Sequence, residues 1–342
     1  MKRTLKHILS IVLMFCLTIS LITGMQPAGQ AVYSDVNSSH WAAAYINFLS
    51  DQGVFNGYPD GSFKPEACIT KAEFITILNR TFGLTRAGSI SYMDVSPAAW
   101  YYSYVQQAAA QGYLLANGNS VNPDLALTRQ EAVALISRYL ALDTSTSYNY
   151  FKDYNDISST WRDYVGASAA AGIIDGYPDG SFKPNGSITR AEAAKIFYFM
   201  LGGNIIKNNT SLSGTGGAIT APGVSLTNSS ISGTLYISEG ADGSSVYLSG
   251  CSIGRLVIRG SATVYLQNTK VPNLVVHPSS GSATVRATGS STVYSAAAKG
   301  GTALSDETAS GGAFANVTSS LPNHGSLSLT GIFPNITVGS PY

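Results

Sequence analysis

Gly57-Tyr-Pro-Asp-Gly-Ser-Phe-Lys-Pro65 recurs without change as Gly176-Tyr-Pro-Asp-Gly-Ser-Phe-Lys-Pro184. Five residues after each closing proline a Thr opens a second phrase, Thr70-Lys-Ala-Glu73 and Thr189-Arg-Ala-Glu192. Between them a degraded copy, Asn117-Gly-Asn-Ser-Val-Asn-Pro123, leads into Thr128-Arg-Gln-Glu131. The Thr-to-Thr offsets are 58 and 61 residues. The first half is therefore a threefold repeat, and repeated units of this length must bury their apolar faces on one another.

Each unit runs in the same order. An aromatic-x-Asp comes first (Tyr33-Ser-Asp35, Tyr92-Met-Asp94, Phe151-Lys-Asp153), then a Trp (Trp41, Trp100, Trp161), then an apolar stretch closed by Gly53, Gly112 or Gly172. Trp41, Ala44, Tyr45, Phe48 and Leu49 fall at helical spacing, and Gly53 stands where a left-handed cap is wanted. Tyr-Pro-Asp-Gly predicts a tight turn. A second helix starts at the Thr, with Phe74, Ile77 and Leu78 as its buried stripe and Gly83 beyond its end. Helix, turn and helix, three times over, predict one helical domain across residues 32–202.

Thr-x-x-Glu reads as a capping box at Thr70/Glu73, Thr128/Glu131 and Thr189/Glu192. Capping leaves Lys71, Arg129 and Arg190 unexplained, because a cation in the first helical turn opposes the helix dipole by about 0.3–1 kcal/mol. Free N–H groups at a helix start, joined by a cation, suit an anionic ligand. The tryptophans fit either a core position or a groove edge that stacks on a sugar. Asp35, Asp94 and Asp153 fit turn or cap positions equally well. His40 reads as a surface residue, and no Ser/His/Asp set, metal-ligand cluster or phosphate loop stands in this half, so no cofactor is expected.

This pattern resembles the S-layer homology (SLH) domain in triplicate, over about half the chain. The resemblance implies a pseudo-threefold helical bundle that holds an exported protein non-covalently on a Gram-positive-type cell wall. The partner it implies is an anionic, often pyruvylated, secondary cell-wall polysaccharide attached to peptidoglycan; other surface-layer proteins are further candidates. By position, the cation that meets the sugar acid falls on Arg190, Arg129 and Lys71. With Asp35, Asp94, Asp153, Trp41, Trp100 and Trp161 these form the candidate polysaccharide-binding set. Lys71 departs from the family's Arg, and the middle unit lacks the Gly-Tyr-Pro-Asp-Gly turn and carries Gln130 in place of Ala, so the groove of Arg190 is the first choice.

Lys2, Arg3 and Lys6 precede an apolar run from Ile8 to Ile22 and then Met25-Gln-Pro-Ala-Gly-Gln-Ala31. This predicts a signal peptide over 1–31, cleaved after Ala31; Cys16, preceded by Phe15, does not read as a lipid-attachment site. No second anchor or sorting signal is evident. Loss of three of the 20 basic residues leaves a net charge of −2, which does not favour nucleic acid. Cys68 and Cys251 lie in different repeats and are not expected to pair; Cys68, aligned with Ala126 and Ser187, reads as a small packed residue.

From about Gly202 the composition turns to Gly, Ser, Thr and Val, with Glu239, Asp242, Asp306 and Glu307 the remaining acids. Val224-x-Leu226…Ile231…Leu235-x-Ile237 aligns with Val246-x-Leu248…Ile253…Leu256-x-Ile258 and with Val264-x-Leu266…Val271…Leu274-x-Val276. Three period-two signals per rung of about 20 residues predict a right-handed parallel β-helix, with a β-sandwich as the alternative. Asn228 and Asn268 supply left-handed corners. The rung pattern fades after Lys299, apart from one last strand signal between Ile332 and Val338. The expected organisation is an α + β multi-domain chain: repeats at 32–87, 88–146 and 147–202, a β-helical region at 203–300 and a low-charge tail at 301–342. Glu239 and Asp242 are the one acidic pair in the rungs and read as a solvated loop; His277, His324, Arg255, Arg259 and Arg286 supply no catalytic set. A non-enzymatic surface protein is the reading, with a wall-anchored polysaccharide-active enzyme as the alternative.

Overall fold

The computed structural model describes residues 33–145, 151–322 and 325–339. The signal peptide, Cys16 and His324 lie outside the described residues. The repeat half holds six α-helices among the described residues, in pairs: α1 (Ala43–Asp51) and α2 (Lys71–Phe82), α3 (Tyr102–Ala110) and α4 (Arg129–Leu140), α5 (Arg162–Ala170) and α6 (Arg190–Met200). Gly53 and Gly83 take left-handed φ of 71° and 65° after α1 and at the end of α2, as the apolar spacing requires. Phe74, Ile77 and Leu78 are buried.

The three units close into a ring through their backbones. Ile69 N donates to Ile188 O at 3.0 Å, Ile188 N to Leu127 O at 3.0 Å, and Leu127 N to Ile69 O at 2.9 Å. Each unit thus gives one hydrogen bond and takes one, which fixes a pseudo-threefold arrangement. Cys68, beside this ring, pairs by an isolated β-bridge with Thr189 and is exposed, not packed. Its thiol is on the rim because the bridge uses backbone, which leaves the side chain free to face water.

The second half is a β-solenoid of about six turns with parallel strands. One eight-stranded sheet joins β1 (Ile205–Ile206), β2 (Ser213–Ile219), β4 (Ser230–Ile237), β6 (Ser252–Ile258), β8 (Lys270–Val276), β10 (Thr292–Ala298), β12 (Phe314–Ser319) and β14 (Asn335–Val338). A six-stranded sheet joins β3 (Ser225–Thr227), β5 (Ser245–Ser249), β7 (Thr263–Gln267), β9 (Ser282–Thr288), β11 (Gly301–Asp306) and β13 (Leu327–Thr330). Inward residues stack rung on rung: Leu235 on Leu256 on Leu274, and Leu226 on Leu248 on Leu266. Asn228 and Asn268 turn corners at φ 47° and 49°, as their alignment predicts.

Two details differ from the sequence reading. The three apolar signals per rung occupy two strands, because Ile231 and Leu235-x-Ile237 share β4 across a register shift between Ile231 and Thr234. The coil also continues past Lys299 through β11–β14, with Leu304 and Val317 inward and Thr302 and Asp306 taking buried places that apolar residues hold in earlier rungs.

The outer face of the larger sheet packs on the bundle. Ala218, Tyr236, Val257 and Val275 form one ladder across β2, β4, β6 and β8, and all four pack in the bundle's apolar core. Phe82 meets Tyr236 edge-on at 6.0 Å, and Ser238 Oγ donates to Phe82 O at 2.7 Å.

Candidate functional site

All three capping boxes form. Glu73 N, Glu131 N and Glu192 N donate to Thr70, Thr128 and Thr189 Oγ1 at 3.2, 3.4 and 3.1 Å, and each Glu carboxylate accepts from its Thr N–H at 2.9–3.1 Å. The two N–H groups ahead of each Glu go to another unit. Lys71 N and Ala72 N donate to Leu125 O and Pro123 O at 3.0 and 2.8 Å. Arg129 N and Gln130 N reach Gly186 O and Pro184 O at 2.9 and 3.1 Å; Arg190 N and Ala191 N reach Ala67 O and Pro65 O, both at 2.9 Å. The free helix N-terminus expected from the sequence is therefore closed by protein carbonyls, and offers an anion no N–H from the first three helical positions.

The cations make a second ring. Lys71 Nζ donates to Val121 O at 2.9 Å, Arg129 Nε to Phe182 O at 2.9 Å and Arg190 Nε to Phe63 O at 2.7 Å, three equivalent carbonyls on the next unit. Each also faces that unit's box glutamate: Lys71–Glu131 at 4.0 Å, Arg129–Glu192 at 3.8 Å, Arg190–Glu73 at 2.8 Å. A neighbouring carboxylate thus offsets the opposing helix dipole. All three cations are buried, Arg190 at 2% exposure. Burial pushes the Lys71 ammonium down, while Glu131 and Asp94 act in the opposite sense.

The two arginines differ in what they have left. Arg190 also sends Nη2 to Asn56 O at 3.0 Å and Nη1 to Glu73, and lies over Phe55, Tyr58 and Phe63 at 4.6–4.7 Å. Arg129 sends Nη2 to Asp175 O at a long 3.3 Å. Its Nη1 makes no hydrogen bond among the described residues.

Asp35, Asp94 and Asp153 hold the turns. Asp35 and Asp153 each accept two backbone N–H bonds at 2.7 Å, from Phe63 and Lys64 and from Phe182 and Lys183; Asp94 accepts from Val121 and Asn122 at 3.0 and 2.7 Å. Lys64, Asn122 and Lys183 sit at φ 55–57°, which aims consecutive amides at one carboxylate. Burial raises the Asp35 and Asp94 carboxyls, yet the backbone donors outweigh it and hold both below the usual range.

Trp41 and Trp100 are 51% and 59% exposed and so are not core residues, whereas Trp161 is partly buried against the bundle core. Trp41 walls a cavity of about 300 Å³ with Arg129, Tyr177, Glu192 and Lys195. Trp100 walls one of about 640 Å³ with Arg190, Tyr58, Glu73 and Arg80. Each groove takes its buried arginine from one unit, its Tyr-Pro-Asp-Gly turn from a second and its Trp from the third. Tyr58 and Tyr177, inside the quoted repeat but not singled out, donate to Glu73 and Glu192 at 2.8 and 2.6 Å. Burial and these carboxylates push both phenols up. Arg80 recurs as Arg138 ten residues after the capping Thr of the middle unit, whereas Lys195 has no counterpart, since Thr76 and Ala134 hold its place in the other units. With Asp124 and Asp175 on the walls, cations and acids balance in each groove.

Residues 32–75, 91–133 and 150–194 match the S-layer homology domain. The chain carries three SLH domains. SLH domains bind cell-wall polymers and anchor proteins to the wall, and this is a secreted cell-surface protein. Over 185 residues, 51% of the chain, it is 31% identical to an amylopullulanase of Thermoanaerobacterium thermosulfurigenes. It is 35% identical over 116 residues, 32% of the chain, to a cellulosome-anchoring protein of Acetivibrio thermocellus, and 28% identical over 175 residues, 50% of the chain, to the surface-layer 125 kDa protein of Lysinibacillus sphaericus. The chain spans 10%, 26% and 15% of those proteins.

Outside the SLH domains, the solvated loop expected for Glu239 and Asp242 holds for the exposed Asp242 and fails for Glu239. Glu239 is 4% exposed, and its Oε2 accepts from Tyr139 of α4 at 2.6 Å. Burial pushes its carboxyl up, with Arg259 acting in the opposite sense. Asp242 Oδ1 accepts from Ser261 N at 2.7 Å.

Proposed function

We propose that the two Trp-walled grooves hold the acid sugar of an anionic secondary wall polysaccharide, with a pyruvate ketal as the acid, and that the solenoid is a displayed, non-catalytic module. The carrying observation is the repeated composition of the grooves: a buried arginine, a tyrosine-bearing turn and an exposed tryptophan, each from a different SLH unit. A tryptophan face stacks on the apolar face of a pyranose, and a guanidinium edge matches a carboxylate. Arg129 Nη1 is held only by Glu192 at 3.8 Å, against 2.8 Å for Arg190 Nη1 on Glu73, which makes the Trp41 groove the better acceptor of an acid group, while the larger Trp100 groove, with Arg80 beside Arg190, suits a longer segment. Asp35, Asp94 and Asp153 act by holding the turns. Lys71 and, by repeat position, Trp161 belong to a third site facing the middle unit, where Ala116 stands in the turn and no tyrosine among the described residues donates to Glu131.

The non-catalytic reading of the solenoid is supported by its acids. Glycoside hydrolysis needs two carboxyl groups facing one bond, and Glu239 is closed off beneath Tyr139. The amylopullulanase likeness runs through the SLH region, so it carries no substrate over. In a sedimentation assay the full chain should pellet with native walls and stay soluble with walls stripped of their secondary polymer. Equal pelleting with both would refute the proposal.

A further inference from the structure

Between bundle and solenoid lies a cavity of about 600 Å³, within the range of small-molecule sites. Gln111 and Arg138 line it from the bundle; Arg259, His277, Ser279 and Lys299 line it from the solenoid. The described lining residues include no Asp or Glu. Three cations converge on one space, and no ion pair within 4.0 Å involves any of them among the described residues.

The buried donors there are left over. Arg259, 4% exposed, gives one side-chain hydrogen bond, from Nη1 to His277 O at 2.9 Å, and lies 5.5 Å from the Tyr139 ring centroid. Its Nε, the Nε2 of Gln111 and the Nδ1 of His277 find no partner among the described residues, while the Ser279 hydroxyl acts on the Glu239 carboxyl. A buried guanidinium and buried donors left without partners are destabilising, and a ligand that supplies acceptor oxygens relieves that cost. Glu239, which accepts from Tyr139, is the acid that acts on Arg259, but it makes no ion pair with it within 4.0 Å and does not line the cavity. Arginine and lysine heads, an amide, a hydroxyl and an imidazole around one polar cavity match the acceptor oxygens of one ligand type.

We propose that this junction cleft is a second binding site, distinct from the SLH grooves, for an oxyanion group of the kind carried by an acidic saccharide: a phosphate or a carboxylate. Because both halves of the molecule line it, an occupied cleft ties the solenoid to the bundle. His277 reports occupancy. Burial, then Arg259 and Lys299, push its imidazole down to about 4, and a bound anion would draw that value up.

The test is an NMR titration of the full chain with sodium phosphate and, separately, sodium glucuronate, against sodium chloride at matched ionic strength, read at the His277 ring resonances. At least one oxyanion should give a saturable shift. The shift should persist in Trp41→Ala/Trp100→Ala, which alters only the grooves, and binding should weaken at least tenfold in Arg138→Gln/Lys299→Gln, which changes partly exposed side chains. Saturation by phosphate alone, or by glucuronate alone, supports the site and assigns the acid. No shift beyond the chloride control with either anion, or undiminished binding in the double Gln variant, would overturn it.

Discussion

Arg190→Ala should be among the most damaging single substitutions in the bundle. The guanidinium joins unit three to unit one through Phe63 O at 2.7 Å, Asn56 O at 3.0 Å and Glu73 at 2.8 Å. Truncation strands a largely buried carboxylate, and breaking a buried ion pair from one side costs about 3–5 kcal/mol. The two orphaned carbonyls would add about 1–3 kcal/mol each if independent, but they share one side chain with the ion pair and do not add. The expected loss is therefore about 3–5 kcal/mol. At about 2–4 °C per kcal/mol for a domain of this size, the melting point should fall by on the order of 6–20 °C. Lys71→Ala removes one carbonyl bond and a pair at 4.0 Å, and should cost about 1–2 kcal/mol. Thermal melts at 222 nm and urea titrations measure both. A loss under about 1 kcal/mol for Arg190→Ala, or a larger one for Lys71→Ala, would refute the clamp as the reason for these cations.

Thr189→Ala should cost about 0.5–2 kcal/mol through the missing cap, measured in the same melts. Trp41→Ala, at an exposed site, should leave the melting point within about 2 °C, consistent with surface changes of about 0.5 kcal/mol or less, and lower wall binding several-fold by sedimentation. Gly254→Ala would set a Cβ 2.2 Å from Ser232 O in the rung below, and should destabilise the solenoid by about 1–3 kcal/mol in denaturant melts. Stability should depend on pH in two opposed ways. Glu239 binds its proton more tightly folded than unfolded, so its contribution is full below about pH 4 and falls as pH rises through its higher folded value. Glu239→Gln should flatten that decline. Asp35 and Asp94 are shifted the other way, so their contribution is present above about pH 4 and is lost as pH falls through their lower folded values.

What the sequence discloses here is what neighbouring residues decide among themselves. A capping box closes over three residues, and all three boxes form where the Thr-x-x-Glu phrases stand. A rung is a short period, and the Val-x-Leu alignments stack as written. What escapes it is decided by contacts between distant segments. Trp41 shares a helical spacing with Ala44 and Phe48, but α1 begins at Ala43 and turns Ile46 and Leu49 inward, leaving the indole outside. The late coils hide because Thr302 and Asp306 fill inward places; Asp306 does so by accepting N–H bonds from Thr308 and Ala313. Glu239 is hidden for the same reason, since only the docked α4 brings Tyr139 to it.

The threefold ring explains why unlike residue types recur at one position. A cation at the first residue of a helix is a local fault, and in an isolated unit it would be selected against. In the ring it lies beside the next unit's glutamate, which is itself committed to its own cap, and it donates to the carbonyl whose neighbouring N–H groups an aspartate holds. Cap, turn and clamp thus share atoms across units: the aspartate shapes the turn, the turn presents the carbonyl, the carbonyl fixes the cation, and the cation anchors the capping glutamate. One unit alone contains every one of these groups and can satisfy none of the inter-unit bonds. The grooves inherit that dependence, because their tryptophan, turn and arginine are brought together only when three units close. On the proposed reading, anchoring capacity is consequently a property of the closed ring and not of any one unit.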